Sequence, residues 1–307
     1  MSRGSQTSNS VLLVRPASFG FHAEAAASNT FAGAGDGDVQ AKALAEFEAL
    51  ARRLSQARIN TLILDDTPDP AKPDAVFPNN WVSFHSDGTI VLYPMATAAR
   101  RLERNLDAMT SLLTSSGFEV RRIIDLTAHE QQERFLEGTG SLILDRPRRQ
   151  AYASLSLRTD RDAIAEFDEQ LDYSTLVFEA ADAAGRAIYH TNVLMSLGTR
   201  FAILCTEAVA PGARAALTAE IEASGRALIE VDFEQMGRFA CNLIELKNRD
   251  GDPVIALSST ALEAFRPDQL RTLEGFGELA AVPIPTIEAV GGGSVRCMIA
   301  DIHLPRR

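Results

Sequence analysis

Five stretches of the chain carry one pattern, apolar runs broken by a short polar turn: Trp81–Tyr93, Phe135–Ser156, Tyr189–Val209, Phe239–Ser259 and Val295–Leu304. They recur with a period of about 50–56 residues. Most read as two strands joined by a turn. Asp87-Gly88 sits between the apolar runs of WVSFHSDGTIVLYP, and Asp250-Gly251 does the same in FACNLIELKNRDGDPVIALSS. Each of the first four stretches is followed by an amphipathic pattern and then by another strand. Helices are predicted over Ala98–Ser116, Arg161–Leu171, Gly212–Ser224 and Ala261–Phe276, with apolar residues at helical spacing, as in Leu102, Leu106, Met109, Leu112 and Leu113. The strands that follow are Glu119–Leu126, Ser174–Phe178, Ala227–Val231 and Leu279–Ile284.

After the fifth stretch no helix follows. Its missing parts are found near the other end of the chain: a strand at Val11–Val14, an amphipathic helix at Lys42–Ala57 and a strand at Thr61–Asp65. The N-terminal segment then completes the fifth unit. The predicted fold is α/β, a five-bladed pseudo-symmetric propeller of ββαβ units, and its closed ring leaves no long sheet edge exposed. An α+β sandwich with coincidental spacing is the alternative. Length alone would allow one domain or two; the repeat implies a single domain over 11–307 behind a flexible polar segment, 1–10.

Composition narrows the function. Hydrophobic content of 46% and charged content of 23% are those of a soluble globular protein. A net charge of −11 argues against nucleic acid and against an anionic membrane surface as partners. No apolar run approaches the ~18 residues of a membrane span, and nothing resembles a secretory signal. The three cysteines, Cys205, Cys241 and Cys297, are far apart and form no CxxC pair, which points to a reducing compartment and away from a zinc site. The expected location is therefore the cytoplasm. A monomer and a homo-oligomer both remain open.

The start of each hairpin carries polar residues in an apolar context. Asn79-Asn80 precede Trp81, Glu137 follows Phe135, His190 and Asn192 follow Tyr189, Asn242 follows Phe239, and Cys297 follows Val295. In a ring of repeats, equivalent positions converge near the axis. A carboxylate, an imidazole and a thiol brought together there resemble a nucleophile with its base and orienting group. Taken singly each has a duller reading: Cys297 as a small buried hydrophobe, His190 as a structural histidine, Glu137 as a turn cap, and the asparagines as turn residues after Pro78. Cys205 and Cys241 lack the context and read as structural. Gly291-Gly292-Gly293 does not match a phosphate loop and reads as room for backbone beside a ligand or Cys297.

The motifs PDAVFPNNW, FLEGTGSLILDR, YHTNVLMSLG, RFACNLIEL and GGGSVRCMIADI resemble the series found in the guanidine-modifying (pentein) superfamily, which includes amidinotransferases, arginine deiminases and dimethylargininases. The resemblance runs from Val11 over nearly the whole chain. It is nearest to the dimethylargininase branch and, within it, to bacterial citrulline-utilisation hydrolases. It implies a five-bladed α/β propeller and a hydrolase without metal or organic cofactor. By position in these motifs Cys297 looks like the nucleophile, His190 the general acid/base and Glu137 the residue that orients it. Asp74 looks like a pocket-lining aspartate. Arg101 and Arg158 look like the arginines that hold a substrate's α-carboxylate, a role that suits a guanidinium fork; the other reading of both is a solvated charge.

Relatives acting on guanidinium compounds usually place a carboxylate where this chain has Asn80, at the end of FPNN, and deiminases a second where it has Asn192, in HTN. A guanidinium presents only donors and a positive charge, so carboxylates suit it. A ureido group is neutral and offers both an acceptor and donors, which asparagine matches. The substrate expected is therefore L-citrulline, split to ornithine, ammonia and carbon dioxide, with Asp74, Asn79, Asn80, Asn192, Arg101 and Arg158 binding it. The rivals are a deiminase or dimethylargininase acting on a guanidinium, and a non-catalytic binding protein on the same fold.

Overall fold

The computed structural model describes residues 4–307. Fifteen strands form five separate three-stranded sheets. In the first, β1 (Ser10–Arg15) and β2 (Asn60–Asp65) join β15 (Ala300–Asp301). The second holds β3 (Val82–Phe84), β4 (Thr89–Leu92) and β5 (Arg122–Asp125); the third β6 (Ile143–Asp145), β7 (Gln150–Ser154) and β8 (Ser174–Phe178). The fourth holds β9 (Met195–Leu197), β10 (Phe201–Leu204) and β11 (Ala227–Glu230); the fifth β12 (Ile244–Lys247), β13 (Pro253–Ser258) and β14 (Glu278–Val282).

Every sheet is wired alike. The first strand pairs antiparallel with the second, as in Val82 opposite Leu92 and Ile143 opposite Tyr152. The second pairs parallel with the third, as in Thr89 opposite Arg122. A parallel pair needs a crossover, and a helix supplies it in each unit: Val39–Gln56, Leu106–Ser115, Arg161–Leu171, Pro211–Ala223 and Pro267–Glu274. The fifth unit closes as the sequence implies. β1 lies between β15, to which it is antiparallel, and β2, to which it is parallel.

Burial falls from the first strand of a unit to the third. β3, β6 and β15 are buried throughout, whereas β5 and β11 each bury one residue. The first strands therefore face the middle of the ring and the third strands its outside.

Helix boundaries follow local chemistry. Arg161–Leu171 starts where the Asp160 carboxylate accepts from the backbone N–H of Asp162 and Ala163. The predicted helix Ala98–Ser116 is interrupted, because Asn105 caps a new helix by accepting from Ala108 N. The predicted helix Ala261–Phe276 also divides: Pro267 holds Arg266 extended and opens the second piece.

The expectation of a flexible segment 1–10 does not hold for residues 6–10; residues 1–3 lie outside those described. Gln6 donates to Leu144 O (2.9 Å) and accepts from Arg146 N (3.0 Å), Ser8 O accepts from Lys247 N (3.0 Å), and Ser10 already belongs to β1. Among the described residues no helix is long and apolar enough to cross a membrane.

Candidate active site

The residues preceding β3, β6 and β9 form short helical turns, Pro78–Asn80, Gly138–Ser141 and Thr191–Leu194. Glu137 and His190 occupy the cap positions of the second and third turns, which aims both side chains out of the strands and toward the axis. The approach is close enough to dictate a glycine. Gly138 has φ +50°, and a Cβ there would lie 2.2 Å from Asn79 O. A Cβ on Gly140 would lie 2.5 Å from Asn80 Nδ2 and 2.9 Å from His190 Nδ1, so Asn80 and His190 meet across that glycine.

His190 Nε2 and Glu137 Oε2 are 2.8 Å apart, and both residues are buried. Glu137 Oε1 accepts from Ala96 N (3.0 Å), while Oε2 also accepts from Arg158 Nη1 (3.3 Å) and lies 3.7 Å from Arg100 Nη1. Burial alone would raise the Glu137 carboxyl, but Arg158, the His190 hydrogen bond and Arg100 together hold it far below the usual carboxylate range. For His190 burial wins: it lowers the imidazole to about 4, with Arg158 and Arg100 adding to the fall and Glu137 resisting it. At neutral pH the pair is thus a carboxylate beside a neutral imidazole, able to accept a proton.

Cys297 Sγ accepts from two side-chain amides, Asn192 Nδ2 at 3.3 Å and Asn242 Nδ2 at 3.2 Å. Asn242 stands in phase with the other site residues, yet the sequence reading leaves it out of the substrate set. Several amide atoms here are buried without a hydrogen-bond partner among the described residues: both side-chain polar atoms of Asn79, Asn80 Nδ2 and Asn192 Oδ1. Cys205 and Cys241 are fully buried elsewhere, in the apolar core of the fourth unit.

Two residues differ from expectation. Arg101 lies outside the cluster: it donates to Met95 O and Ala96 O, sits 3.4 Å from Glu130, and covers the Phe135 ring. Its neighbour Arg100 is the buried one. Arg100 forks onto Glu103 (2.9 and 3.0 Å), donates to Asn80 Oδ1 (2.8 Å), and lies 3.9 Å from Asp74. The helical turn Ala98–Arg101 points adjacent side chains in different directions, and the inward one is paired to Glu103 three residues on. That spacing was the available signal. Arg158 is in the cluster, but its Nε and Nη2 are occupied by Ser28 Oγ and Ala25 O.

Those contacts come from a segment that the repeat did not reveal. Residues 22–31 cover the cluster. His22 Nδ1 meets Asp74 Oδ2 at 2.7 Å, Asn29 Nδ2 donates to Gly291 O (3.1 Å), and Phe31 packs on Tyr189 and Phe239. The Asp74 hydrogen bond raises the His22 imidazole above its ordinary value, against a smaller opposing effect of burial. The triple glycine gives room here. A Cβ on Gly292 would strike Asn29 and Ala32 N, and one on Gly293 would press on the Phe77 ring and reach 3.3 Å from Cys297 Cβ.

Residues 15–304 match the family N,N dimethylarginine dimethylhydrolase, eukaryotic. The chain belongs to this family. Solved structures of low sequence identity share its fold. Apo ArgZ, an arginine dihydrolase from the ornithine–ammonia cycle in cyanobacteria, superposes with a TM-score of 0.74 at 17% identity, over 97% of this chain and 41% of that one. A complex of AgrE with L-arginine gives 0.72 at 16% identity, over 97% and 40%. A dimethylarginine dimethylaminohydrolase carrying a 4-chloro-2-hydroxymethylpyridine adduct gives 0.66 at 16% identity, over 96% and 99%. This dimethylhydrolase-family chain therefore spans about two fifths of the length of ArgZ and AgrE. Curated protein sequences returned no match.

Proposed function

We propose that the protein is a cysteine hydrolase that splits the ureido C–N bond of L-citrulline, yielding ornithine, ammonia and carbon dioxide. The observation that carries this reading is the set of unpartnered buried amides: Asn192 at the thiol, Asn80 beside His190, and Asn79 next to it in the chain. Asn79 and Asn80 Nδ2 offer donors, and Asn79 and Asn192 Oδ1 offer acceptors, in a buried site. A neutral ureido group has the complementary mixture. A guanidinium would look for free carboxylates; Glu137 is engaged by His190 and Arg158, and Asp74 lies 3.9 Å from the Arg100 guanidinium, a contact outside the segment 22–31.

In this reading the thiol proton passes to neutral His190, and Cys297 Sγ attacks the ureido carbon. Amide donors from Asn79 or Asn80 hold the developing oxyanion. His190 returns the proton to the δ-nitrogen, the C–N bond breaks, and ornithine leaves a carbamoyl thioester. Water that has lost a proton to His190 attacks this ester and expels the thiolate. The carbamate formed falls to ammonia and carbon dioxide. Glu137 stabilises the imidazolium at each transfer. Withdrawal of residues 22–31 admits the substrate and frees Arg158 Nε and Nη2 for its α-carboxylate.

A second reading is that L-arginine is the substrate. It is favoured by the description of ArgZ as an arginine dihydrolase and by the AgrE complex with L-arginine. Calorimetry on Cys297→Ser separates the two. The citrulline reading expects citrulline to bind more tightly than arginine, and Asn80→Asp with Asn192→Asp to reverse the order, since added carboxylates attract a guanidinium and repel a ureido oxygen. Arginine bound more tightly by the unsubstituted asparagines would sink it.

A further inference from the structure

Asn242 is held on both ends of its amide. Its Oδ1 accepts from Arg296 N at 3.1 Å, which fixes which end of the amide faces the thiol. Its Nδ2 then points at two acceptors, Asn192 O (3.3 Å) and Cys297 Sγ (3.2 Å). The side chain is buried, away from bulk solvent. It is also tied to the backbone on both sides of the sulfur, through Arg296, next to Cys297, and through Asn192, which donates to the same sulfur. Asn192 differs: its Oδ1 has no partner among the described residues, so nothing there anchors its amide, and it is free to turn to a ligand.

We infer that Asn242 is a catalytic residue whose fixed amide donor stabilises the Cys297 thiolate, while Asn192 reads the substrate. The inference rests on the cysteine-hydrolase reading above. A sulfur anion accepts hydrogen bonds far better than a neutral thiol, so a donor that cannot turn away favours the charged form. Tyr189 and Arg296 are the other titratable groups beside the sulfur, and burial keeps the Tyr189 phenol neutral. Around these lie His190, Glu137 and Arg158, with Arg100, Asp74 and His22 beyond. Arg296 points from the thiol toward Ile299 O and Asp301, leaving Asn242 as the anchored donor in contact.

The test is alkylation of Cys297 by iodoacetamide at pH 7 and at pH 10, with Cys297→Ser supplying the background from the two buried cysteines. Asn242→Ala should slow alkylation at pH 7 by about tenfold, the size expected when a hydrogen bond to a charged group is lost. Asn242→Asp should slow it more. This isosteric variant keeps the acceptor for Arg296 N, and so the backbone, but sets a negative charge against the sulfur. Both should regain the wild-type rate at pH 10, where a thiol ionises without help. A purely structural Asn242 gives the opposite order, with the isosteric aspartate milder than alanine. That order, or an unchanged rate in Asn242→Ala at pH 7, overturns the inference; if alanine fails to fold, slowing in the aspartate variant decides alone. Since no substrate is involved, the expected order upholds the role of Asn242 even if citrulline is not turned over.

Discussion

Exchanging Arg100 and Arg101 in turn separates two roles that their adjacency hides. Arg100 is 2% exposed, and its fork meets both oxygens of buried Glu103 and Asn80 Oδ1, with Asp74 and Glu137 within 4 Å. Replacing it with methionine keeps much of the volume and removes the charge. Glu103 then stays buried without a cation, and breaking a buried pair from one side costs about 3–5 kcal/mol. At roughly 2–4 °C per kcal/mol for a large domain, the melting temperature should fall by about 6–20 °C. Arg101 is one third exposed, and its 3.4 Å contact with Glu130 is worth no more than about 1 kcal/mol. Arg101→Ala should therefore melt within about 4 °C of wild type. Arg100 also orients Asn80, so citrulline binding to the Cys297→Ser protein should weaken at least about tenfold in Arg100→Met and hardly at all in Arg101→Ala. Calorimetric melting and titration give both numbers. If Arg101→Ala lost citrulline affinity while Arg100→Met kept it, the assignment of the inward arginine would be refuted.

Turnover of citrulline should vanish in Cys297→Ser and persist in Cys205→Ser and Cys241→Ser, since only Cys297 meets Asn192 and Asn242; ornithine release measures this, and activity in Cys297→Ser above about a hundredth of wild type would exclude covalent catalysis by that thiol. The His22–Asp74 contact should hold residues 22–31 down most firmly below pH 6.5 and release them as pH rises through the raised value of His22, because the protonated imidazole is the form Asp74 stabilises. Hydrogen exchange of these amides should therefore accelerate with pH in wild type beyond its intrinsic rise, and His22→Phe should remove the excess; an identical profile in both proteins would count against the latch.

The hairpins were legible because each pairs two apolar runs around a polar turn, a pattern that survives without neighbours. Ring closure was legible too, because Val295–Leu304 lacked a helix that the segment Lys42–Ala57 could supply. The in-phase polar residues announced themselves by contrast with apolar surroundings, as Glu137 does in FLEGTG and His190 in IYHTN. His22 had no such contrast. It stands in a loop outside the repeat, and only tertiary packing carries it to Asp74. Arg100 and Arg101 are equivalent in composition, and a short helical turn rather than a motif decides which faces inward. The break at Asn105 was hidden because apolar spacing continues across it, from Leu102 to Leu106, while the cap interrupts the backbone.

β1 pairs with β15, so Leu12 meets Ala300 across almost the whole chain, and Cys297 stands three residues before that strand begins. During synthesis, four sheets can form from contiguous stretches while β1 waits beside β2 with one edge open. The last strand to be made is therefore the one that closes the ring. Cys297 and the final clasp thus lie on the same stretch of polypeptide. A partly made or partly unzipped molecule does not hold an assembled cluster, and local fraying at this seam would disperse it before the remaining sheets loosen. Moving the termini to another connection between units, with residues 4 and 307 bridged by a linker, would separate the two events in time.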